Sequence, residues 1–117
     1  MPGISIHVVD VSRGVVASGM HVELFAMSGD SFKLIASGSI SKTGVLAAPV
    51  LNERFEPGSY EARFHVADYY RTAIGATAAV PFLDVVSYRF GLAEPEAHYH
   101  LPMKCTPWGY SCFRGGA

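Results

Sequence analysis

Charge is scarce in this chain of 117 residues, where only 16% are Asp, Glu, Lys or Arg. The nine basic and ten acidic side chains nearly cancel, to a net charge of −1. No run of lysines or arginines is available to track a phosphate backbone, which argues against nucleic-acid binding. No stretch approaches the roughly 18 uncharged apolar residues of a membrane helix, so no membrane association is expected. The opening Met1-Pro2-Gly3-Ile4-Ser5 has neither the positive region nor the apolar stretch of a secretion signal, and a cytoplasmic location is the expectation. Cysteine is also sparse. With no secretion signal, Cys105 and Cys112 are expected as two free, mostly buried thiols, and their spacing matches no zinc-ligand pattern.

What is plentiful is apolar side chain, half of the residues. A disordered tail is excluded by that fraction, and the length fits a single domain over 1–117. Surface scaling puts the folded surface at roughly 6,000 Å².

Alternation with a period of two recurs along the chain, broken by Gly, Ser, Asn, Asp and Pro. Ile4, Ile6 and Val8 share one face of a first strand, so His7 points to the other. A second strand covers Met20 to Met27. Ser28-Gly29-Asp30-Ser31 then reads as a hairpin turn into an antiparallel neighbour that starts near Phe32. Ser41-Lys42-Thr43-Gly44 marks another turn, and the segment 50–56 is the one place where the pattern suggests a short helix. Tyr60, Ala62, Phe64 and Val66 alternate with polar residues as a half-buried strand; 75–80 reads as an Ala-rich loop, and strands follow at 84–92 and 98–105. Seven or eight short strands in one domain imply an all-β sandwich or barrel.

Two groups of residues carry chemistry. His98 and His100, two apart on a strand, project in the same direction, and His7 makes a third imidazole that the fold is free to bring near. Hydrogen-bonded surface histidines, a zinc site built from His7, His98 and His100, and acid-base use of one imidazole on water all fit this pattern. The second group is the C-terminal run from Thr106 to Ala117, which keeps three aromatics almost to the chain end, where polar, frayed residues are usual. It reads either as a final strand packed on its own core or as the lining of a site or subunit contact, with Arg114 available to an oxyanion or carbonyl.

Three motifs in order, Ile6-His7-Val8-Val9-Asp10 with Ser12-Arg13-Gly14, then His98-Tyr99-His100-Leu101-Pro102, then Pro107-Trp108-Gly109-Tyr110-Ser111 with Arg114-Gly115, resemble the transthyretin-like proteins. The likeness is to their 5-hydroxyisourate hydrolases, spans the whole chain, and includes the turn at Gly44 and a Gly-x-Tyr strand at Gly58-Ser59-Tyr60. It implies an eight-stranded Greek-key β-sandwich with one short helix, assembled as a homotetramer with active sites in a channel at the dimer-dimer contact. No metal and no organic cofactor are implied. The implied reaction is hydrolysis of the N1–C6 amide of 5-hydroxyisourate, with His7 and His100 matching the catalytic histidines and Arg114 the arginine of a terminal Tyr-Arg-Gly-Ser signature.

The chain departs from the family pattern at that site. Val45 follows Gly44 where the hydrolases place a catalytic arginine; Phe113 stands for the terminal tyrosine, Gly116 for the serine, and Ala117 extends the chain by one residue. Losing one charge-assisted contact in a transition state costs a few kcal/mol, about a hundredfold in rate, unless the substrate has changed with it. Val45 and Phe113 suit an N-methylated ring better than an unpaired guanidinium would. The alternative from another class is a non-catalytic transthyretin-like binder of a small ligand, and the retained His7 and His100 speak for the enzyme. Arg54, Arg63 and Arg71 do not match the missing arginine and read as solvated. Tyr69, Tyr70 and Phe82 read as core or loop packing, and His21 and His65 belong to no motif.

Overall fold

The computed structural model describes residues 1–76 and 78–116; Ala117, and Thr77 in the loop expected over 75–80, lie outside the described residues. Among the described residues, eight strands form two sheets: β1 (Gly3–Asp10), β2 (Val15–Val16), β3 (His21–Ser28), β4 (Ser31–Ser39), β5 (Gly58–His65), β6 (Val85–Leu92), β7 (His98–Thr106) and β8 (Gly109–Cys112). The first sheet runs β2-β1-β7-β8 and the second β4-β3-β5-β6. All neighbours are antiparallel except β1 and β7, which run parallel over the whole of β1. The expected all-β, transthyretin-like sandwich is the observed fold. Its exposed surface, 6379 Å², is close to the scaling value.

Alternation places the core. Ile4, Ile6 and Val8 of β1, Leu101 and Met103 of β7, and Val22, Leu24, Ala62 and Phe64 of the second sheet are buried between the layers. Their partners in alternation face outward. The β3–β4 hairpin turns at Gly29, whose φ of +59° is a left-handed conformation that glycine adopts without a Cβ penalty.

Two helical expectations need correction. Over 50–56 there is only a 3-10 turn, Pro49–Asn52, which ends where Glu53 becomes extended. The helix of the fold is α1 (Val66–Ile74), which begins at the residue where the alternation of β5 was expected to continue. Val66, Ala67, Tyr69 and Tyr70 are its buried face, a helical rather than alternating spacing, and left-handed Gly75 ends it. Tyr69 and Tyr70 thus belong to a helix, while Phe82 is an exposed loop residue.

That helix secures the end of β1. Asp10 is completely buried and accepts hydrogen bonds from Tyr69 (2.9 Å), Tyr70 (2.7 Å) and Ser12 (2.6 Å), with Arg13 at 3.8 Å. Burial alone would raise its pKa, but the three hydroxyl donors outweigh burial and hold the carboxyl below its ordinary value. A buried carboxylate satisfied in this way fixes the position of the strand that carries His7.

Candidate active site

The parallel register decides which residues share the outer face of the first sheet. Ser5 lies beside His100, His7 beside Pro102 and Gly3 beside His98, so Ser5, His7, His98, His100 and Pro102 form one outward patch. Their alternate neighbours, Ile4, Ile6, Tyr99 and Leu101, fill the core and leave these side chains no other direction. The two imidazoles singled out in the sequence, His7 and His100, are therefore brought to one face by strands more than ninety residues apart in the chain.

A hydrogen-bond chain fixes the state of His100. The Ser5 hydroxyl is 2.8 Å from His98 Nε2 and 2.6 Å from His100 Nδ1, and His98 Nδ1 is 3.4 Å from the Pro2 carbonyl oxygen. A carbonyl only accepts, so the neutral tautomer of His98 that satisfies this contact donates through Nδ1 and offers Nε2 as an acceptor. Ser5 then donates to His98 and accepts from His100 Nδ1–H. The lone pair of His100 is left on Nε2, which makes no hydrogen bond among the described residues. Burial, and the positive charges that His7 and His98 would carry, lower the pKa of His100 below its ordinary value. The product is a neutral, oriented imidazole with a free basic nitrogen near neutral pH, the form a general base requires.

Two glycines make room for the rings. A Cβ on Gly44 would collide with His7 Nε2, approach His7 Cδ2 and the Val16 side chain to 2.8 Å each, and sit on a backbone with φ +89°. A Cβ on Gly115 would lie 2.9 Å from His100 Cδ2. Each imidazole thus rests against bare backbone. Val45 pairs with His7 in a non-hydrogen-bonded antiparallel bridge, flanked by Val8 N–H to Gly44 O and Leu46 N–H to Ile6 O, the pairing in which side chains come closest. The apolar replacement for the expected arginine therefore sits directly beside His7.

At the other edge, Gly115 N–H donates to His100 O at 2.8 Å and continues the β7–β8 register. That register puts half-exposed Phe113 on the imidazole face, and it puts Arg114 and Gly116 on the opposite parity. Arg114 stacks its guanidinium 3.9 Å from the centre of the Tyr99 ring, with one nitrogen 3.5 Å from His98 O. It borders a groove of about 640 Å³ with Met1, Pro2, Asn52, Ala97 and His98, and is not gathered with His7 and His100. Around Gly116 a Cβ would meet nothing.

The three arginines weighed in the sequence as stand-ins for the missing one are engaged elsewhere. Arg54 is paired with Glu96 and Glu56, Arg63 with Glu61, and Arg71 with Asp68. Burial pushes both thiols, Cys105 and Cys112, up to about 11, away from nucleophilic reactivity. The nitrogens of His7, His98 and His100 do not gather as metal ligands do. Among the described residues, the trio that does is His21, Glu23 and His65. Sequence reading missed Ser5 altogether. Its alternation places it on the face of His7, but only the pairing with β7 shows which imidazole it meets.

This is a β-sandwich whose outer sheet face presents a pair of imidazoles, one of them held through Nδ1 by a serine hydroxyl. The chain belongs to the HIUase/Transthyretin family, whose sequence pattern matches residues 4–115. It is 40% identical to a 5-hydroxyisourate hydrolase of Deinococcus radiodurans over 97% of this chain and 96% of that protein. Against the 5-hydroxyisourate hydrolase of Pseudomonas aeruginosa the identity is 39%, over 98% of this chain and 92% of the other. Among solved structures, an (S)-allantoin synthase superposes with a TM-score of 0.87 at 30% identity, covering 97% of this chain and 43% of that one. The structure of Klebsiella pneumoniae 5-hydroxyisourate hydrolase, 24% identical, superposes over 99% of this chain and all of the other with a TM-score of 0.80 and shares the fold. No helix among the described residues is long and apolar enough to cross a membrane.

Proposed function

We propose that the chain is a hydrolase that opens the six-membered ring of 5-hydroxyisourate, or of its N-methylated forms, in urate-type purine breakdown in the cytoplasm. The observation that carries this reading is the pair His7 and His100 on one sheet face, with His100 held through Nδ1 by Ser5. His100 Nε2 takes a proton from water, and the resulting hydroxide adds to the C6 carbonyl. The N1–C6 bond then breaks, and the imidazolium returns the proton to the departing N1. His7, across the strand pair, orients the ring and stabilises the developing oxyanion.

Val45 and Phe113 wall this face with apolar surface, which favours a methylated ring over one whose N–H groups would go unpaired. Arg114 binds a polar edge of the substrate after leaving the Tyr99 ring, an exposed cation–π contact of about 0.5–1 kcal/mol. Gly116 leaves room beside it. Half-exposed Phe113 stands on the imidazole face, which fits a homotetramer in which a second copy covers the site.

The test is the decay of freshly generated 5-hydroxyisourate and its N-methyl forms, followed spectroscopically with wild-type, His100→Asn and Val45→Arg proteins. Hydrolysis is expected to vanish in His100→Asn, and Val45→Arg is expected to shift preference toward the unmethylated ring. An unchanged rate in His100→Asn would make the chain a non-catalytic ligand binder. An unmoved preference in Val45→Arg would refute the account of the pocket wall.

A further inference from the structure

We propose that His21, Glu23 and His65 form a binding site for a zinc-class divalent cation on the outer face of the second sheet. The two antiparallel strands that pair Val22 with Phe64 set His21 directly opposite His65, and their ring centres are 5.0 Å apart. Glu23, two residues on from His21 and on the same face, reaches diagonally to His65, with Oε1 2.7 Å from Nε2. One ligand atom from each residue lies within 4.8 Å of the other two. Ligands on a tetrahedral zinc, at bonds of 2.0–2.1 Å, sit about 3.3 Å apart. Small side-chain rotations close that gap, because His21 is exposed and free to turn.

Two imidazoles and one carboxylate are the donor set a borderline metal prefers, and the surroundings leave it room. Ser39 is opposite His21 on β4, Ser37 opposite Glu23, and Val85 opposite His65, so no bulky group caps the trio from either neighbouring strand. The residue that would compete for Glu23 is Arg63, its cross-strand partner. Arg63 is committed elsewhere: its Nε donates to Glu61 at 2.7 Å, and its guanidinium lies over the rings of Phe25, at 4.3 Å, and Phe32. Glu23 is thereby left to the histidines. His21 also borders a groove with Ser18, Lys42 and Asp68, which admits water to a fourth coordination position.

The ligands stand on two central strands, and the backbone beyond His65 passes straight into α1, so the site is built on rigid elements. It lies on the far side of the sandwich from His7 and His100. A bound ion therefore staples β3 to β5 and acts on stability, not on the hydrolytic step.

Zinc is titrated against a chromophoric chelator, with thermal unfolding followed in parallel, on wild-type, His21→Ala, Glu23→Gln and His100→Asn chains. Zinc is expected to raise the wild-type Tm. His21→Ala, an exposed position where folding is not at stake, is expected to weaken binding by about tenfold or more and to abolish the Tm gain. Glu23→Gln weakens it similarly, His100→Asn retains it, and the hydrolysis rate of His21→Ala stays at the wild-type value. Wild-type affinity in His21→Ala, loss of the ion in His100→Asn, or no zinc bound to the wild-type chain would each overturn the assignment.

Discussion

Replacing Ser5 by alanine removes one small hydroxyl and leaves both histidines in place, yet it should disable much of the base. The hydroxyl bridges His98 and His100 at 2.8 and 2.6 Å, and its loss leaves the Nδ1–H of His100 without a protein acceptor. Each such bond is worth about 0.5–1.5 kcal/mol net, so about 1–3 kcal/mol of ring orientation disappears. At about 1.4 kcal/mol per tenfold, kcat should fall by roughly five- to 150-fold. The substrate does not touch Ser5 in the proposed arrangement, so KM should change by less than about twofold, as it does when an interaction made in the transition state is lost. Ser5→Thr keeps the hydroxyl and should recover most of the rate. The assay is single-substrate decay at saturating 5-hydroxyisourate, with circular dichroism to verify the fold. Wild-type kcat in Ser5→Ala would refute the reasoning that the hydroxyl sets the tautomer of His100.

Gly44→Ala should displace the His7 ring, because the new methyl overlaps Nε2 and the left-handed backbone resists a side chain by about 1–2 kcal/mol. Activity should drop at least about tenfold, whereas Gly109→Ala, in open space, should be neutral in the same rate assay. Because the pKa of His100 is lowered, the acid limb of kcat/KM should fall below the ordinary histidine value of about 6.5. The same shift bears on stability. Below about pH 6.5 the unfolded chain takes up the proton before the native chain does, so Tm should decline as the pH falls through that window. Asp10 acts in the same direction at lower pH: its contribution is present above the ordinary aspartate range and is lost as the pH falls through its depressed native value. Asp10→Ala strips the acceptor from Tyr69, Tyr70 and Ser12 and should cost about 3–5 kcal/mol in chemical denaturation.

Local patterns carried much of the fold. A period of two is a property of neighbouring residues, so β5, β6 and β7 were legible from Tyr60-Ala62-Phe64 and from the runs at 84–92 and 98–105. The Ser28-Gly29-Asp30-Ser31 turn was equally plain, since a left-handed residue is required there. Helix α1 was hidden by its own start. Val66 continues the alternation of β5, and nine residues are too few for a 3.6-residue period to stand out against it. The candidate site divides the same way. That His98 and His100 share a face follows from strand geometry alone, as does the direction of His7 away from Ile6 and Val8.

What one strand alone could not reveal is its neighbour. The amino-acid order by itself determined the strand faces, the glycine turns and the imidazoles offered outward, because each depends on residues within a few positions; the missing guanidinium at Val45 came from the family resemblance. Only the tertiary structure decided that β1 lies parallel to β7, that Ser5 therefore reaches His100, that Arg114 turns to Tyr99, and that His21 meets His65. These depend on strand register, which is set by packing the two sheets over a shared core, and that energy is spread over residues far apart in the chain.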